Sequence, residues 1–164
     1  MLFLRLGLRV VSARAACRPR SYATSSVTIN RVAPEATVGV REAVLWPGRP
    51  DMCRLAEDAQ GLHLAANVNN DVVGVVSLFV DGAEARFRKF AVLEAHRGAG
   101  LGSRLLQAAE AEAASAGAAH INCDARADTA AAYYEKRGYT AAGPPFAKYA
   151  DSEQLYATMR KPLA

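Results

Sequence analysis

Apolar positions recur along the chain with two periods, two and about 3.6, and the changes between them outline the elements. Val27-Thr28-Ile29-Asn30-Arg31-Val32 alternates and predicts a strand. Pro34 opens a helix-like stretch to about Leu45, weakened by Gly39 and stopped by Trp46-Pro47-Gly48-Arg49-Pro50. A second short helix is predicted from Asp51, as N-cap, to Gln60, with Gly61 as terminator. Leu62 to Asn67, a turn at Asn69-Asn70-Asp71 and Val72 to Asp81 predict a β-hairpin. A further turn at Asp81-Gly82 leads into Ala85-Arg86-Phe87-Arg88-Lys89-Phe90-Ala91-Val92. Three strands joined by tight turns make an antiparallel meander.

Leu101 to Ala116 follows as a helix rich in Ala, Leu, Glu and Gln, ended by Gly117, with Leu101, Leu105, Ala108 and Ala109 as its packing face. Ala119 to Ala125 is a strand whose alternation sets Ile121, Cys123 and Ala125 against His120, Asn122 and Asp124. Asp128 or Thr129 is expected to cap a helix through Arg137, ended by Gly138, and Gln154 to Arg160 predicts the last strand. One helix between the strands at 85–92 and 119–125 makes a crossover, so those two strands are expected to be parallel.

With 164 residues, 51% of them hydrophobic, the chain can bury one core and is too short for two ordinary domains. The net charge of +4 suggests nucleic acid until its position is considered. Residues 1–22 hold Arg5, Arg9, Arg14, Arg18 and Arg20 and no acid, leaving 15 basic against 16 acidic residues elsewhere, a near-neutral body. That Arg-rich, acid-free segment reads as a mitochondrial targeting presequence, and Arg20-Ser21-Tyr22-Ala23 resembles a matrix processing site. The expected organisation is therefore a presequence over 1–22 and a single domain over 23–164, located in the mitochondrial matrix. Cys17, Cys53 and Cys123 have no paired spacing, and His63, His96 and His120 form no ligand pattern, so no metal site is predicted.

Candidate chemistry concentrates between the strand at 85–92 and the helix from Leu101. Gly98, Gly100 and Gly102 punctuate this junction. Glycine permits positive φ and leaves no Cβ before a ligand, while the first amides of the helix carry a partial positive charge. Strand, glycine turn and helix therefore make an anion cradle suited to a phosphate or pyrophosphate. It is not a dinucleotide fingerprint, since Ser103 stands where a third glycine of GxGxxG is required. Nor is it a Walker loop, since Gly102-Ser103-Arg104 lacks the lysine.

Read as Arg97-x-x-Gly100-x-Gly102, the loop resembles the Arg/Gln-x-x-Gly-x-Gly/Ala signature of the GNAT superfamily of N-acetyltransferases. Ala132-Tyr133-Tyr134-Glu135-Lys136-Arg137-Gly138-Tyr139 resembles its second motif, and the likeness spans Val27 to about Pro162. The resemblance implies an acyl-CoA N-acyltransferase fold of α/β (α+β) type, with a mixed, mostly antiparallel sheet flanked by helices and splayed between the strands at 85–92 and 119–125. It implies transfer of acetyl from acetyl-CoA to an amine by direct attack; the alternative is a module that binds acyl-CoA without catalysis.

On this likeness the cofactor-binding residues are Phe90, Val92, Arg97, Gly98, Ala99, Gly100, Leu101, Gly102 and Ser103, the pantetheine pairing along the edge at Phe90 to Val92. The Val92 amide is the expected oxyanion donor. Tyr134 is the expected acid for the departing thiolate, and Asp124 the candidate base, unless it is paired to Arg126 or Arg88. Tyr133 is expected to pack. The asparagine that many relatives carry before the second motif has no counterpart, since Ala127-Asp128-Thr129 stand there. The implied partners are acetyl-CoA, an amine-bearing acceptor and, as one option, a second copy in a homodimer, with neither nucleic acid nor membrane.

Overall fold

The computed structural model describes residues 26–150 and 152–163; the expected presequence lies outside them. Among the described residues, eight strands form one sheet: β1 (Val27–Val32), β2 (Leu62–Val68), β3 (Asp71–Asp81), β4 (Glu84–Val92), β5 (His120–Arg126), β6 (Thr140–Ala141), β7 (Phe146–Ala147) and β8 (Leu155–Pro162). The order is β1-β2-β3-β4-β5-β8-β6, with β7 also paired to β8. Every pairing is antiparallel except β4 with β5, as the crossover requires. The hairpin turn is tighter than expected: Asn69 (φ 52°) and Asn70 (φ 72°) form a two-residue connection, and Asp71 already belongs to β3.

Helices cover both faces of the sheet. The main core lies beneath α2 (Leu101–Ser115) and α3 (Ala131–Glu135), where Leu64, Val76, Leu78, Phe87, Ile121 and Met159 meet Leu105 and Leu106. On the other face, α1 (Val38–Leu45) sets Val40 against Ala65, Val75 and Ala91. Val73 is an extra residue opposite β2, which resets the alternation and turns Val73 and Val76 to the same face. The buried positions of α2 are Leu101, Leu105, Leu106, Ala109 and Ala113, so Ala108 lies at the margin of the expected face.

Two predicted helices differ in the structure. Over 51–60 the chain makes 3₁₀ turns at Pro50–Cys53 and Asp58–Gln60, broken by extended backbone at Arg54. A continuous helix is lost to a buried polar cluster centred on Arg41, whose side chain is fully enclosed. Its Nη1 donates to the Cys53 carbonyl (2.8 Å) and to Asp58 Oδ2 (2.7 Å), and its Nη2 bonds Asp58 Oδ1 and Ser77 Oγ. Asp58 also accepts from the Leu55 amide (2.9 Å) and so folds the segment around its own carboxylate. His63 closes the cluster through Nδ1 to Ser77 Oγ (2.7 Å) and Nε2 to the Asp58 carbonyl (2.8 Å). The α-helix expected to run to Arg137 is only Ala131–Glu135, without a side-chain cap. Asp128 does not cap it because its carboxylate accepts from Gln154 Nε2 (3.0 Å) and Thr129 Oγ1 (3.2 Å).

Candidate active site

The sheet itself opens the site. β4 and β5 pair over Glu84–Arg86 and His120–Asn122, and then part. Beyond that point β5 continues on β8 to Arg126 opposite Tyr156, while β4 continues on β3 to Val92 opposite Gly74. The parting coincides with a bulge in β4 at Lys89 and Phe90, where Lys89 adopts φ 54°. A bulge bends its strand and increases the local twist, which carries the end of β4 away from β5.

At the end of β4 the Leu93 amide donates to the Val73 carbonyl (2.9 Å), toward β3. Alternation then directs the Val92 amide and carbonyl to the open edge, and the Val92 carbonyl accepts from Arg97 Nε (3.0 Å). Gly98 (φ 83°) and Gly100 (φ 80°) turn the loop, and nothing lies within 4 Å of where either would carry a Cβ. Gly100 is the N-cap of α2, and its carbonyl accepts the Arg104 amide (3.1 Å). The amides of Leu101, Gly102 and Ser103 precede that first helical bond and have no intrahelical acceptor. Left-handed glycines, open space and unmatched amides fit a pyrophosphate.

Beside the loop lies a cleft of about 760 Å³, lined by Phe90, Val92, Arg97, Gly98, Gly100, Gly102 and Ser103 among others. Leu101 and Ala99 do not line this cleft, and the Leu101 side chain is buried in the core. Ala99 is half-buried within the loop. Arg137 also lines the cleft, although it is not among the residues that the resemblance assigns to the cofactor. Its Nη2 donates to Ser103 Oγ (2.6 Å), its Nη1 to the Tyr133 carbonyl (2.6 Å), and its guanidinium lies 3.5 Å from the Tyr133 ring centroid. The second motif contains this residue, but a charge at a helix end is ordinarily read as a cap.

Tyr134 stands where this cleft meets a second one of about 440 Å³ in the splay, and it lines both. Its ring is held by Phe87 (5.6 Å), Phe90 (6.3 Å) and Tyr139 (5.6 Å), and its phenol contacts the Cys123 thiol. Burial, followed by the neighbouring Cys123 and Tyr133, pushes the phenol well above its usual value, so it stays protonated. The Cys123 thiol is pushed up to about 12, mainly by burial. Tyr133 packs, as expected, against Phe90 (6.0 Å) and Tyr134 (5.2 Å).

Asp124 faces the second cleft but is engaged by other residues than those expected. Its carboxylate binds Arg86, Lys148 (2.8 Å) and Thr158 Oγ1 (3.2 Å), rather than Arg88 or Arg126. Burial works to raise its pKa, but the bond and charge of Lys148, the charge of Arg86 and the Thr158 bond hold the carboxyl below the usual range. A carboxylate so stabilised is a weak proton acceptor and a strong anchor for two cations.

The remaining wall is aromatic and cationic. Trp46, Tyr149 and Tyr156 form a chain of edge-on rings, each 5.9 Å from the next. Lys89 Nζ donates to the Met52 carbonyl and lies 5.6 Å from the Trp46 ring centroid, while Arg88 pairs with Glu57.

A glycine-turned helix N-terminus beside the parting of β4 and β5 thus forms an anion cradle that opens onto a cleft. The chain belongs to the acetyltransferase (GNAT) domain family, whose model matches residues 59–141. It is 29% identical over 128 residues to the uncharacterized N-acetyltransferase YitI of Bacillus subtilis (strain 168), covering 72% of this chain and 85% of that one. It is also similar to the structure of a protein described as an N-acetyltransferase from Lactobacillus plantarum, with 25% identity and a TM-score of 0.75 over 85% of this chain and 99% of that one. A third likeness, in fold alone, is to a GNAT family acetyltransferase from Elizabethkingia anophelis with acetyl-CoA bound. It has 14% identity and a TM-score of 0.66 over 84% of this chain and 98% of that one.

Proposed function

We propose that this GNAT acetyltransferase moves acetyl from acetyl-CoA to the nitrogen of an amine by direct attack, and does so in the mitochondrial matrix. The observation that carries the reading is the position of Tyr134, which lines both the cleft beside the glycine loop and the cleft in the splay. Acetyl-CoA supplies the activated acetyl group. The amides of the loop and of Leu101 to Ser103 hold its pyrophosphate, and Arg97 and Arg137 add positive charge. The Val92 amide, on the open edge, donates to the developing oxyanion. Transfer forms the nitrogen–carbon bond, breaks the carbon–sulfur bond and returns the proton lost by nitrogen to sulfur. Tyr134 donates a proton to that sulfur and regains one from the nitrogen, directly or through water. Asp124 orients Arg86 and Lys148, and is a poor candidate for removing the proton.

Release of free thiol from acetyl-CoA with a panel of amines tests the reading; turnover on none, with acetyl-CoA bound, would leave a binding module. Gly100→Asp sets a carboxylate where phosphate belongs and should abolish acetyl-CoA binding, and unchanged affinity would remove the cradle. The matrix location is supported by the arginines and lack of acids in residues 1–22. Residues 1–30 fused to a fluorescent reporter should send it to mitochondria, and a diffuse cytosolic signal would refute the location.

A further inference from the structure

The cleft in the splay is strongly unbalanced in charge. Among the described residues, Arg86, Arg88, Lys89, Arg97, Arg126 and Lys148 line it, together with a single acid, Asp124. Two more acids act from outside the lining: Glu57 pairs with Arg88, and Asp128 lies within electrostatic reach of Arg126. Even with both included, the six cations exceed these acids by three. The crowding is felt within the group. After burial, the charges of Arg41, Arg88 and Lys148 pull the Lys89 ammonium below its usual value.

An unmatched cationic cleft repels a polycation and attracts an anion. Its volume of about 440 Å³ suits a small molecule. The Trp46, Tyr149 and Tyr156 rings give that molecule an apolar wall. Resting on the acetyl transfer proposed above, we infer that the acceptor is a small amino acid-like amine, carrying a carboxylate and an apolar side chain. The cations bind its carboxylate across the splay, Arg88 from β4 and Arg126 from β5. The same field disfavours an ammonium and favours the neutral amine, which is the form that attacks. This accounts for a site in which Asp124 is too stabilised to serve as a base. The proton of the attacking nitrogen leaves as the carbon–sulfur bond breaks and ends on the thiol, so the step balances without another reactant.

Matched acceptors separate this inference from the reading beneath it. With acetyl-CoA saturating, kcat/KM for phenylalanine should exceed that for phenylalaninamide, phenethylamine and spermidine by about tenfold or more. Equal or better turnover of any of the three would overturn the inference and leave acetyl transfer standing. Turnover of none of the four, with all other amines also inert, would overturn acetyl transfer. In that case the affinity of the CoA-loaded protein for N-acetylphenylalanine against N-acetylphenylalaninamide still decides the anion preference. Calorimetry should favour the acid by about tenfold, and equal or absent binding refutes it. Arg126 is exposed, so Arg126→Gln should fold normally. It should lower kcat/KM for phenylalanine by about tenfold and leave the amide within about twofold. A uniform fall, or none, would refute the assignment.

Discussion

Arg137 Nη2 donates to Ser103 Oγ at 2.6 Å, a bond between residues 34 positions apart that ties the segment after α3 to the first turn of α2. It places a guanidinium, braced on the Tyr133 ring, at the rim of the glycine loop. Arg137→Gln should therefore weaken acetyl-CoA binding by about tenfold and make it less sensitive to salt, with kcat little changed. Calorimetry at two ionic strengths checks both effects. A change in kcat with unaltered affinity would assign Arg137 to another task.

The Tyr133 hydroxyl is buried, has no hydrogen-bond partner among the described residues, and lies 3.0 Å from where a Cβ on Gly102 would stand. Removing an unpartnered buried hydroxyl recovers its desolvation cost. Tyr133→Phe is thus expected to hold or raise the stability of the free protein, by up to about 1 kcal/mol. It should also relieve the crowding introduced by Gly102→Ala. Thermal melts of the two single variants and the double variant measure this, and a lower Tm for Tyr133→Phe alone would reveal a partner.

Tyr134→Phe keeps the ring that packs against Phe87, Phe90 and Tyr139 and deletes the proton donor. kcat should fall by about 100-fold with KM for acetyl-CoA nearly unchanged. Because the phenol titrates well above its usual value, the wild-type kcat should show no alkaline loss from this group up to about pH 10. Steady-state kinetics across pH test both statements. Undiminished kcat in the variant would dismiss the donor.

Asp124→Asn distinguishes an anchor from a base. Loss of a general base costs about 10²- to 10⁴-fold, whereas loss of an anchor for Arg86 and Lys148 should leave kcat within about tenfold. The anchor role also predicts a raised KM for the amine. A loss of a thousandfold in kcat would restore Asp124 as the base.

Arg41 and Asp58 are a buried pair, and Arg41→Met leaves the Asp58 carboxylate without its cation. Breaking such a pair should destabilise the fold by about 3–5 kcal/mol. Burial works to raise the Asp58 pKa, but the Arg41 and Leu55 bonds and the charges of Arg41 and His63 hold it below the usual value of 3.8. A depressed folded-state pKa contributes stability that is present above the unfolded value and is lost as pH falls through the folded one. Wild-type stability should therefore decline below about pH 4, and Asp58→Asn should flatten that decline. Denaturant midpoints between pH 7 and pH 2 measure the effect.

What could be read from the sequence was what short stretches determine. Period-two alternation marked β1 and β5, because alternate positions must face opposite sides of a sheet, and apolar runs bounded by tight turns marked β2 to β4. The glycines at 98 and 100 marked the cradle, because positive φ is a backbone requirement that the residue itself reveals. A single helix between β4 and β5 also fixed their parallel pairing, through the handedness and length of a crossover. Tertiary structure decided the features that join distant segments. The splay follows from a bulge at Lys89 and Phe90, whose register depends on β3. Asp58 met Arg41 and broke a predicted helix, while Asp128 met Gln154 and left α3 uncapped. Arg137 reached the cradle, and Lys148 and Tyr149 closed the cationic cleft from a loop with no periodic pattern. Local backbone preference and hydrophobic period are written residue by residue, but the partner of a charged side chain is chosen only when the chain has folded back on itself.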